Sequence, residues 1–227
     1  MIRLMTYNIR GGLGIDGRRS TRRIAEVILE AEAQMVCLQE VHKRLPWSRM
    51  IDQPGRLHKA LGMAVVFQRN LSIGVGGYGN AALTSLEIAQ TTMHNLTSRR
   101  EQRGAIEARM HTPDGPLTVF CTHLGLSSEE RVIQAQELAA LLNACETPKL
   151  ICGDFNEEAD GEAVTHLIEA AGLVDAGAGG APTFSSDNPV HRIDMILCDP
   201  SIRVSAIRVL DTMASDHLPL VVDLDIG

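Results

Sequence analysis

The chain has few aromatic residues and no long apolar run. Phe, Trp and Tyr make up 3% of its 227 residues, with a single Trp, so an extended aromatic platform for stacking single-stranded nucleic acid is not indicated. No apolar stretch approaches the ~20 residues that cross a bilayer. The first ten residues, MIRLMTYNIR, are interrupted by polar side chains, unlike a secretory signal. These absences predict a globular protein without a transmembrane segment.

None of the cysteines forms a Cys-x-x-Cys pair, the two candidate histidines are far apart in sequence, and no His/Cys pair has the spacing of zinc ligands, which argues against zinc. A Gly-x-Ser-x-Gly motif is also absent, which argues against a serine-nucleophile hydrolase. Four of the five cysteines lie in apolar, strand-like runs, so buried reduced thiols and a cytoplasmic location are expected. We also expect a monomer. The cysteines are Cys37, Cys121, Cys145, Cys152 and Cys198.

Charge is unevenly distributed along an otherwise ordinary globular composition. The net charge is −7. Residues 1–110 hold 16 basic and 9 acidic residues, a net of +7, whereas residues 111–227 hold 5 and 19, a net of −14. In one shared fold, the basic half is suited to an anionic substrate and the acidic half to cations. Ordinary variation of the surface would explain the same asymmetry.

Two segments repeat the order strand, loop, helix, strand. In the first, a helical apolar stripe over residues 20–33 separates a strand ending at Asn8 from one ending at Glu40. In the second, residues 127–145 form the helical segment, and Ser127 and Glu130 have capping-box spacing. We therefore predict a single domain over residues 1–227, built from two pseudo-repeated halves, although strand–helix–strand units are common.

Six apolar, strand-like stretches stop at polar residues. Unpartnered buried carboxylates and imidazoles are costly, so we expect these strand ends to converge and satisfy one another, a metal or an anion. Singly, each has an ordinary alternative as a turn or strand-end residue. They are YN (Asn8), LQE (Glu40), THL (His123), GDFN (Asp154 and Asn156), RID (Asp194) and SDH (Asp216 and His217).

The residue types indicate hydrolysis assisted by a hard cation. Carboxylate and amide oxygens favour Mg²⁺ or Mn²⁺, with Glu40 as the main ligand and Asn8 and Asp216 assisting directly or through water. Asp194 is the expected partner of His217, because Asp216 and His217 are sequence neighbours and point to opposite faces of a strand. The general base that activates water is either Asp154 or His217. Asn156 and His123 are candidate donors to phosphoryl or leaving-group oxygens.

The stretches TYNIR, LQEV, THL, GDFN, RIDMIL and SDHLPL resemble, in order, those of the endonuclease/exonuclease/phosphatase superfamily, with the DNase I-like fold. They extend over residues 5–220, and the resemblance is to small bacterial members. It implies an α/β fold: a four-layer αββα sandwich of two mixed β-sheets with outer helices. It also implies a principal metal ligand at Glu40, an orienting acid at Asp194 and a catalytic histidine at His217.

The resemblance extends to residues that would contact substrate. His123 in THL is similar to a histidine of the two-histidine members, which include nucleases, sphingomyelinase-like enzymes and inositol-phosphate phosphatases, and it argues against abasic-site repair. Tyr78 and Asn80 lie in a stretch that resembles the family's central strand and line the site, or else occupy a strand edge. Arg103 resembles an often basic position that either touches phosphate or is solvated.

The substrate implied is a phosphate ester: a nucleic acid, a nucleotide or a phospholipid headgroup. The predicted reaction is divalent-metal-dependent hydrolysis of a phosphodiester by water, as in a nuclease or related phosphodiesterase. The alternatives are a sphingomyelinase-like or inositol-phosphate-type phosphatase and, in another class, a non-catalytic binding module. Substrate selection is expected in residues 43–56, 91–103 and 176–189. In the first loop, basic residues beside Trp47 suit a nucleotide or headgroup, unless Trp47 packs on the domain.

Overall fold

Two mixed six-stranded sheets face each other in the structure, a computed structural model that describes residues 1–226. Their strand orders are β11-β12-β1-β2-β4-β3 and β5-β6-β7-β8-β10-β9. The strands are β1 (Ile2–Asn8), β2 (Met35–Lys43), β3 (Ala64–Ile73), β4 (Gly76–Thr84), β5 (Glu87–Leu96), β6 (Arg103–Thr112), β7 (Gly115–His123), β8 (Lys149–Asp154), β9 (Val174–Asp175), β10 (Asp194–Cys198), β11 (Arg203–Val209) and β12 (Leu220–Asp225). The helices are α1 (Thr21–Ala31), α2 (Gln53–Leu61), α3 (Ser128–Asn143) and α4 (Glu162–Ala171).

Three apolar layers hold the sandwich together. A core of side chains from both sheets, including Ile106, Val119 and Val222, fills the space between the sheets. Ile24 and Ile28 of α1 pack with the outer face of the first sheet. Helices α3 and α4 do the same on the second sheet. The arrangement is the four-layer αββα sandwich expected from the sequence. No helix within residues 1–226 combines the length and apolar character needed to cross a membrane.

Each sheet has one parallel pair at its centre. Strands β1 and β2 are parallel and enclose α1, and β7 and β8 are parallel and enclose α3. Antiparallel strands flank each pair, β12 and β4 in one sheet and β6 and β10 in the other. The matching order is consistent with two pseudo-repeated halves, which stay a prediction. Because parallel strands end at the same edge, each pair delivers its last residues to one side of its sheet.

Local sequence signals account for most element boundaries. The Ser20 hydroxyl accepts a hydrogen bond from the Arg23 amide and caps α1. Gly172, in the left-handed conformation, ends α4. The capping box at α3 is half present: Ser127 caps the helix, but the Glu130 carboxylate accepts from the Arg99 amide instead. Glu130 therefore ties the loop after β5 to α3.

Two of the segments expected to be substrate loops are partly regular. Residues 43–56 contain a short 3₁₀ turn at Pro46–Ser48 and the start of α2. Residues 91–103 contain the second half of β5, which ends at Leu96. The chain leaves the first sheet after Thr84 and enters the second at Glu87, so residues 77–90 contribute to both sheets.

Candidate active site

Three neighbouring strands place three ionisable residues side by side. His123 ends β7, Asp154 ends β8, and Asp194 begins β10. In the strand register, Asp154 lies opposite both His123 and Asp194. Residues opposite each other on paired strands point to the same face. The three residues therefore form a row rather than three separate turns. The prediction that every apolar strand stops at its polar residue was wrong for the RID and SDH stretches, because Asp194 begins β10 and Asp216 and His217 precede β12.

Gly153 allows the close strand approach beside this row. A Cβ built on Gly153 would lie 2.0 Å from the backbone oxygen of Thr122, on the neighbouring strand β7. Any side chain here would force β7 and β8 apart. This accounts physically for the glycine that precedes Asp154 in the sequence.

Asp154 is the centre of the site. Its Oδ2 accepts from Asn8 Nδ2 at 2.9 Å and lies 3.4 Å from His123 Nε2 and 3.7 Å from His217 Nε2. The side chain is buried. Burial and the negative charge of Asp194 raise the pKa of Asp154 to about 7, against the opposing effects of His217 and the Asn8 hydrogen bond. This carboxyl group is thus tuned toward exchanging a proton near neutrality.

His217 is held between two aspartates. Its Nδ1 lies 2.8 Å from Asp194 Oδ2, and its Nε2 faces Asp154. The Phe184 ring covers the imidazole, with the two ring centroids 4.7 Å apart. Burial opposes a charge on His217, but Asp194 and the other nearby carboxylates outweigh it and raise its pKa to about 10. An imidazolium fixed at Nδ1 presents its Nε2–H toward the centre of the site.

Arg103 determines the tautomer of His123. The Arg103 guanidinium lies 3.2 Å from His123 Nδ1 and pairs with Glu101 at 2.6 Å. A guanidinium only donates, so Nδ1 must accept and the His123 proton is on Nε2, facing Asp154. Burial, then the charges of Arg103 and His217, lower the pKa of His123 well below its usual value. His123 is a neutral donor, and Arg103 lies buried behind it.

A β-bulge redirects Glu40 into the site. The register between β2 and β4 shifts between Leu38 and Val41, and Glu40 has a φ of 56°. Leu38 and Val41 both pack on the helix side of the sheet, whereas Gln39 faces the other sheet. The extra residue therefore escapes the alternation of the strand. Its Oε1 lies 3.3 Å from Asn8 Nδ2, so one amide group bridges Glu40 and Asp154.

Glu40 and Asp216 form a donor set that fits a hard divalent cation. Burial raises the pKa of Glu40, and the negative charge of Asp216 adds to this rise against the hydrogen bond from Asn8. Asp216 is half-buried and lies 3.2 Å from Arg10 Nε. Two neighbouring carboxylates that repel one another are stabilised by a cation between them. Asn8 Oδ1 accepts from the Arg10 amide at 3.1 Å and retains one lone pair.

A second acidic group lies deeper. Ligand atoms of Asp154, Asp194 and His217 lie within 4.8 Å of one another. His217 Nδ1 is already bonded to Asp194, and a protonated imidazole does not bind metal. We therefore regard this group as the proton-handling part of the site and Glu40 with Asp216 as the better cation ligands.

The remaining predicted residues line the surroundings. Asn156 was expected to donate to a phosphoryl oxygen, but its side-chain Nδ2 donates to Leu124 O. Its backbone N–H donates to Asp154 Oδ1 in an Asx-type turn. Asn80 Nδ2 donates to Gly104 O, which leaves Oδ1 buried without a partner among the described residues. Burial and the charge of Glu40 raise the pKa of Tyr78, which keeps that phenol protonated beside the carboxylate.

Sequence reasoning missed three neighbours of the site. Ser215 Oγ donates to the Asn8 carbonyl at 2.7 Å and joins the loop before β12 to the end of β1. Arg10 contacts Asp216, and Phe184 covers His217. The position of Arg10 directly after the TYNI stretch was a usable signal. Phe184 lies among turn-forming residues, where no periodicity marks it.

The fold and the site define a class of hydrolase in which two facing sheets bring acids, amides and histidines to one edge. The sequence matches the Endonuclease/Exonuclease/phosphatase family over residues 5–217, and the chain belongs to that family. Members of the family are divalent-metal-dependent hydrolases of phosphate esters. No curated protein matches the chain.

Solved structures with the same fold cover nearly the whole chain. An endonuclease/exonuclease/phosphatase from Beutenbergia cavernae is 23% identical, with a TM-score of 0.83 over 100% of this chain and 72% of that one. The mannosyl-6-phosphatase Bt3783 of Bacteroides thetaiotaomicron is 18% identical, with a TM-score of 0.81 over 99% and 100%. The human Nocturnin catalytic domain is 23% identical, with a TM-score of 0.79 over 99% and 93%. At these identities the likeness establishes the fold alone.

Proposed function

We propose that this protein is a Mg²⁺- or Mn²⁺-dependent phosphodiesterase, a nuclease or a close relative of one, that hydrolyses its substrate by direct attack of water. The observation that carries the proposal is the position of Asp154 Oδ2 among three nitrogen donors, from Asn8, His123 and His217. A phosphoryl group at this point would meet a base and two imidazole donors together.

Asp154 is the proposed general base. Its buried carboxylate is the only one of the row that faces both imidazoles, and its raised pKa suits acceptance of a proton from water. His217 is less suited to this role, because its Nδ1 is bonded to Asp194 and the raised pKa keeps Nε2 protonated. His217 and His123 instead donate to the phosphoryl oxygens, where negative charge develops.

Glu40 and Asp216, with Asn8, would hold the cation. When bound, a divalent ion polarises the phosphoryl group and offsets its charge. Asn8 would keep the metal-binding carboxylate and the base at a fixed separation, because its amide contacts Glu40 and Asp154 at 3.3 Å and 2.9 Å. Arg103 would act only through His123, as a positioning residue.

Hydrolysis of bis-p-nitrophenyl phosphate tests the proposal. We expect activity with Mg²⁺ or Mn²⁺ that EDTA abolishes. Asp154→Asn and His217→Gln should each lower kcat about 10²–10⁴-fold, and Glu40→Gln should demand much more metal for half-maximal rate. The matched controls are His111→Gln and Glu87→Gln, at exposed positions on β6 and β5.

Circular dichroism should show that the variants remain folded. Metal-independent hydrolysis, or folded Asp154→Asn and Glu40→Gln variants with the rate of the wild type, would refute the site assignment. Rapid cleavage of p-nitrophenyl phosphate with no cleavage of the diester would instead support a phosphomonoesterase.

A further inference from the structure

A cleft beside the candidate active site is lined by the sole tryptophan and three arginines. It has a volume of about 490 Å³, within the usual range for small-ligand sites. We call it the tryptophan cleft. Its lining includes Trp47, Arg18, Arg19 and Arg49, with Leu13 and Ile51.

The positive charge in this cleft is uncompensated. No carboxylate within residues 1–226 lies within 4 Å of the guanidinium groups of Arg18, Arg19 or Arg49. Arg19 is partly buried and is held by its hydrogen bonds to the carbonyls of Gly11 at 2.5 Å and Arg10 at 3.3 Å. A guanidinium that is positioned by backbone and lacks an acid is suited to binding an anion.

Trp47 presents an aromatic surface to the same space. Its side chain is 55% exposed, so about half of it faces solvent, although it also packs on the domain as the alternative interpretation of the sequence proposed. The position of the ring is fixed on one side by the buried His42, which it contacts edge-on with ring centroids 6.4 Å apart. A large indole left in solvent beside positive charge is typical of a stacking position for a ligand ring.

Two sets of contacts connect the residues of the cleft with those of the active site. The backbone that holds Arg19 belongs to the turn directly after Asn8, and Arg10 in that turn contacts Asp216. On the other side, His42 lies between Trp47 and Tyr78, with centroids 5.7 Å apart for the second pair. The turn after Asn8 therefore contacts Asp216 in the active site and Arg19 in the cleft.

We propose that the tryptophan cleft is a nucleotide subsite, in which a nucleobase stacks on Trp47 and a phosphate next to the scissile one binds the arginines. The inference deepens the proposed function and rests on it, since it assigns the phosphodiester substrate to nucleic acid or a dinucleotide. A nucleotide is favoured over a membrane surface because the site is concave, whereas membrane docking uses protruding apolar side chains. The arginines also belong to the basic half of the sequence.

Fluorescence titration tests binding without catalysis. Trp47 is the only tryptophan, so its emission reports on this cleft alone. In EDTA, adenosine 5′-monophosphate and a deoxytetranucleotide should quench it saturably, with an affinity that falls with salt. Arg49→Ala and Arg19→Ala should each weaken binding about tenfold, whereas Arg56→Ala, an exposed control on α2, should not change it.

Absence of quenching, or quenching unaffected by Arg49→Ala, overturns the subsite. A blue shift with phosphatidylserine vesicles and no response to nucleotides would overturn it in favour of a lipid surface. Arg49 is exposed, so its removal does not endanger folding in the way that loss of the Arg19 hydrogen bonds could.

Kinetics separate this inference from the proposed function. Thymidine 5′-(p-nitrophenyl phosphate) and ethyl p-nitrophenyl phosphate share a leaving group and differ by the nucleoside. Trp47→Ala should raise KM for the nucleoside ester about tenfold or more and leave kcat/KM for the ethyl ester unchanged. If both esters are cleaved and Trp47→Ala affects neither, the subsite is wrong. If neither is cleaved, the proposed function fails and the fluorescence result alone decides the subsite.

Discussion

Acid should destabilise this protein partly through His42, which is buried beside the tryptophan cleft. Its side chain packs against Gly11, Trp47 and Tyr78, and its Nδ1 is buried with no hydrogen-bond partner among the described residues. Burial, then the positive charge of Arg19, lowers the pKa of His42 to about 4. In the unfolded chain it is about 6.5.

The direction of the effect follows from these two values. Between them the unfolded chain binds a proton that the folded protein does not, so stability rises with pH. The stabilisation is fully present above about pH 6.5 and is lost as the pH falls toward about 4. For one such group, moving from pH 7.5 to pH 5.0 lowers the free energy of unfolding by about 2 kcal/mol.

Urea unfolding followed by circular dichroism at both pH values measures this loss. His123, with a lowered pKa of its own, contributes in the same direction, so the comparison must be between variants. His42→Phe keeps a ring against Trp47 and removes the titration; it should be less sensitive to pH than the wild type by about 2 kcal/mol. His111→Phe, at an exposed position, should behave as the wild type. If His42→Phe and the wild type lose the same free energy of unfolding between the two pH values, His42 is not held neutral. The His42→Gln variant, which also lacks the titrating group, controls for packing effects of the larger Phe ring.

Two further substitutions test the strand row. Asp194→Asn keeps the shape of the side chain but removes the negative charge that pairs with His217 at 2.8 Å. Because a charge-assisted hydrogen bond contributes ~1.5–3 kcal/mol, kcat for bis-p-nitrophenyl phosphate should fall about 10- to 100-fold while the fold is unchanged. An unchanged kcat would show that Asp194 has no part in the mechanism. Gly153→Ala places a methyl group 2.0 Å from Thr122 O and should lower the free energy of unfolding by roughly 1–3 kcal/mol in urea melts. A Gly153→Ala variant as stable as the wild type would mean that β7 and β8 separate without cost.

Two of the strands that carry the site, β7 and β8, were readable from sequence because their apolar runs end abruptly. Asp154 and His123 follow such runs, and parallel strands on either side of a helix must end at one edge. The pattern therefore predicted which side chains would meet. The sequence also predicted the contact between Asp194 and His217. It did not predict that Asp154 lies opposite both His123 and Asp194, because that depends on the register of β8 with β7 and β10.

Features that depend on contacts between distant segments escaped prediction. The shift in register that redirects Glu40 leaves no mark in the run MVCLQEV, which reads as a regular strand. Glu130 has the spacing of a capping box, yet its carboxylate accepts a hydrogen bond from the backbone N–H of Arg99, which is distant in sequence. Phe184 reaches His217 from a loop whose composition indicates only turns. In each case a tertiary contact outweighed the local pattern.

The bulge at Glu40 makes the proposed metal ligand an insertion in an otherwise ordinary ladder. Deleting this single residue would bring Gln39 next to Val41 and restore the alternation that the pairing with β4 favours. Deletion of one residue would thus leave the fold intact and remove the carboxylate of Glu40, the proposed metal ligand. The chain keeps an irregular, conformationally unfavourable residue at the one place where regular pairing would leave the cleft without that carboxylate.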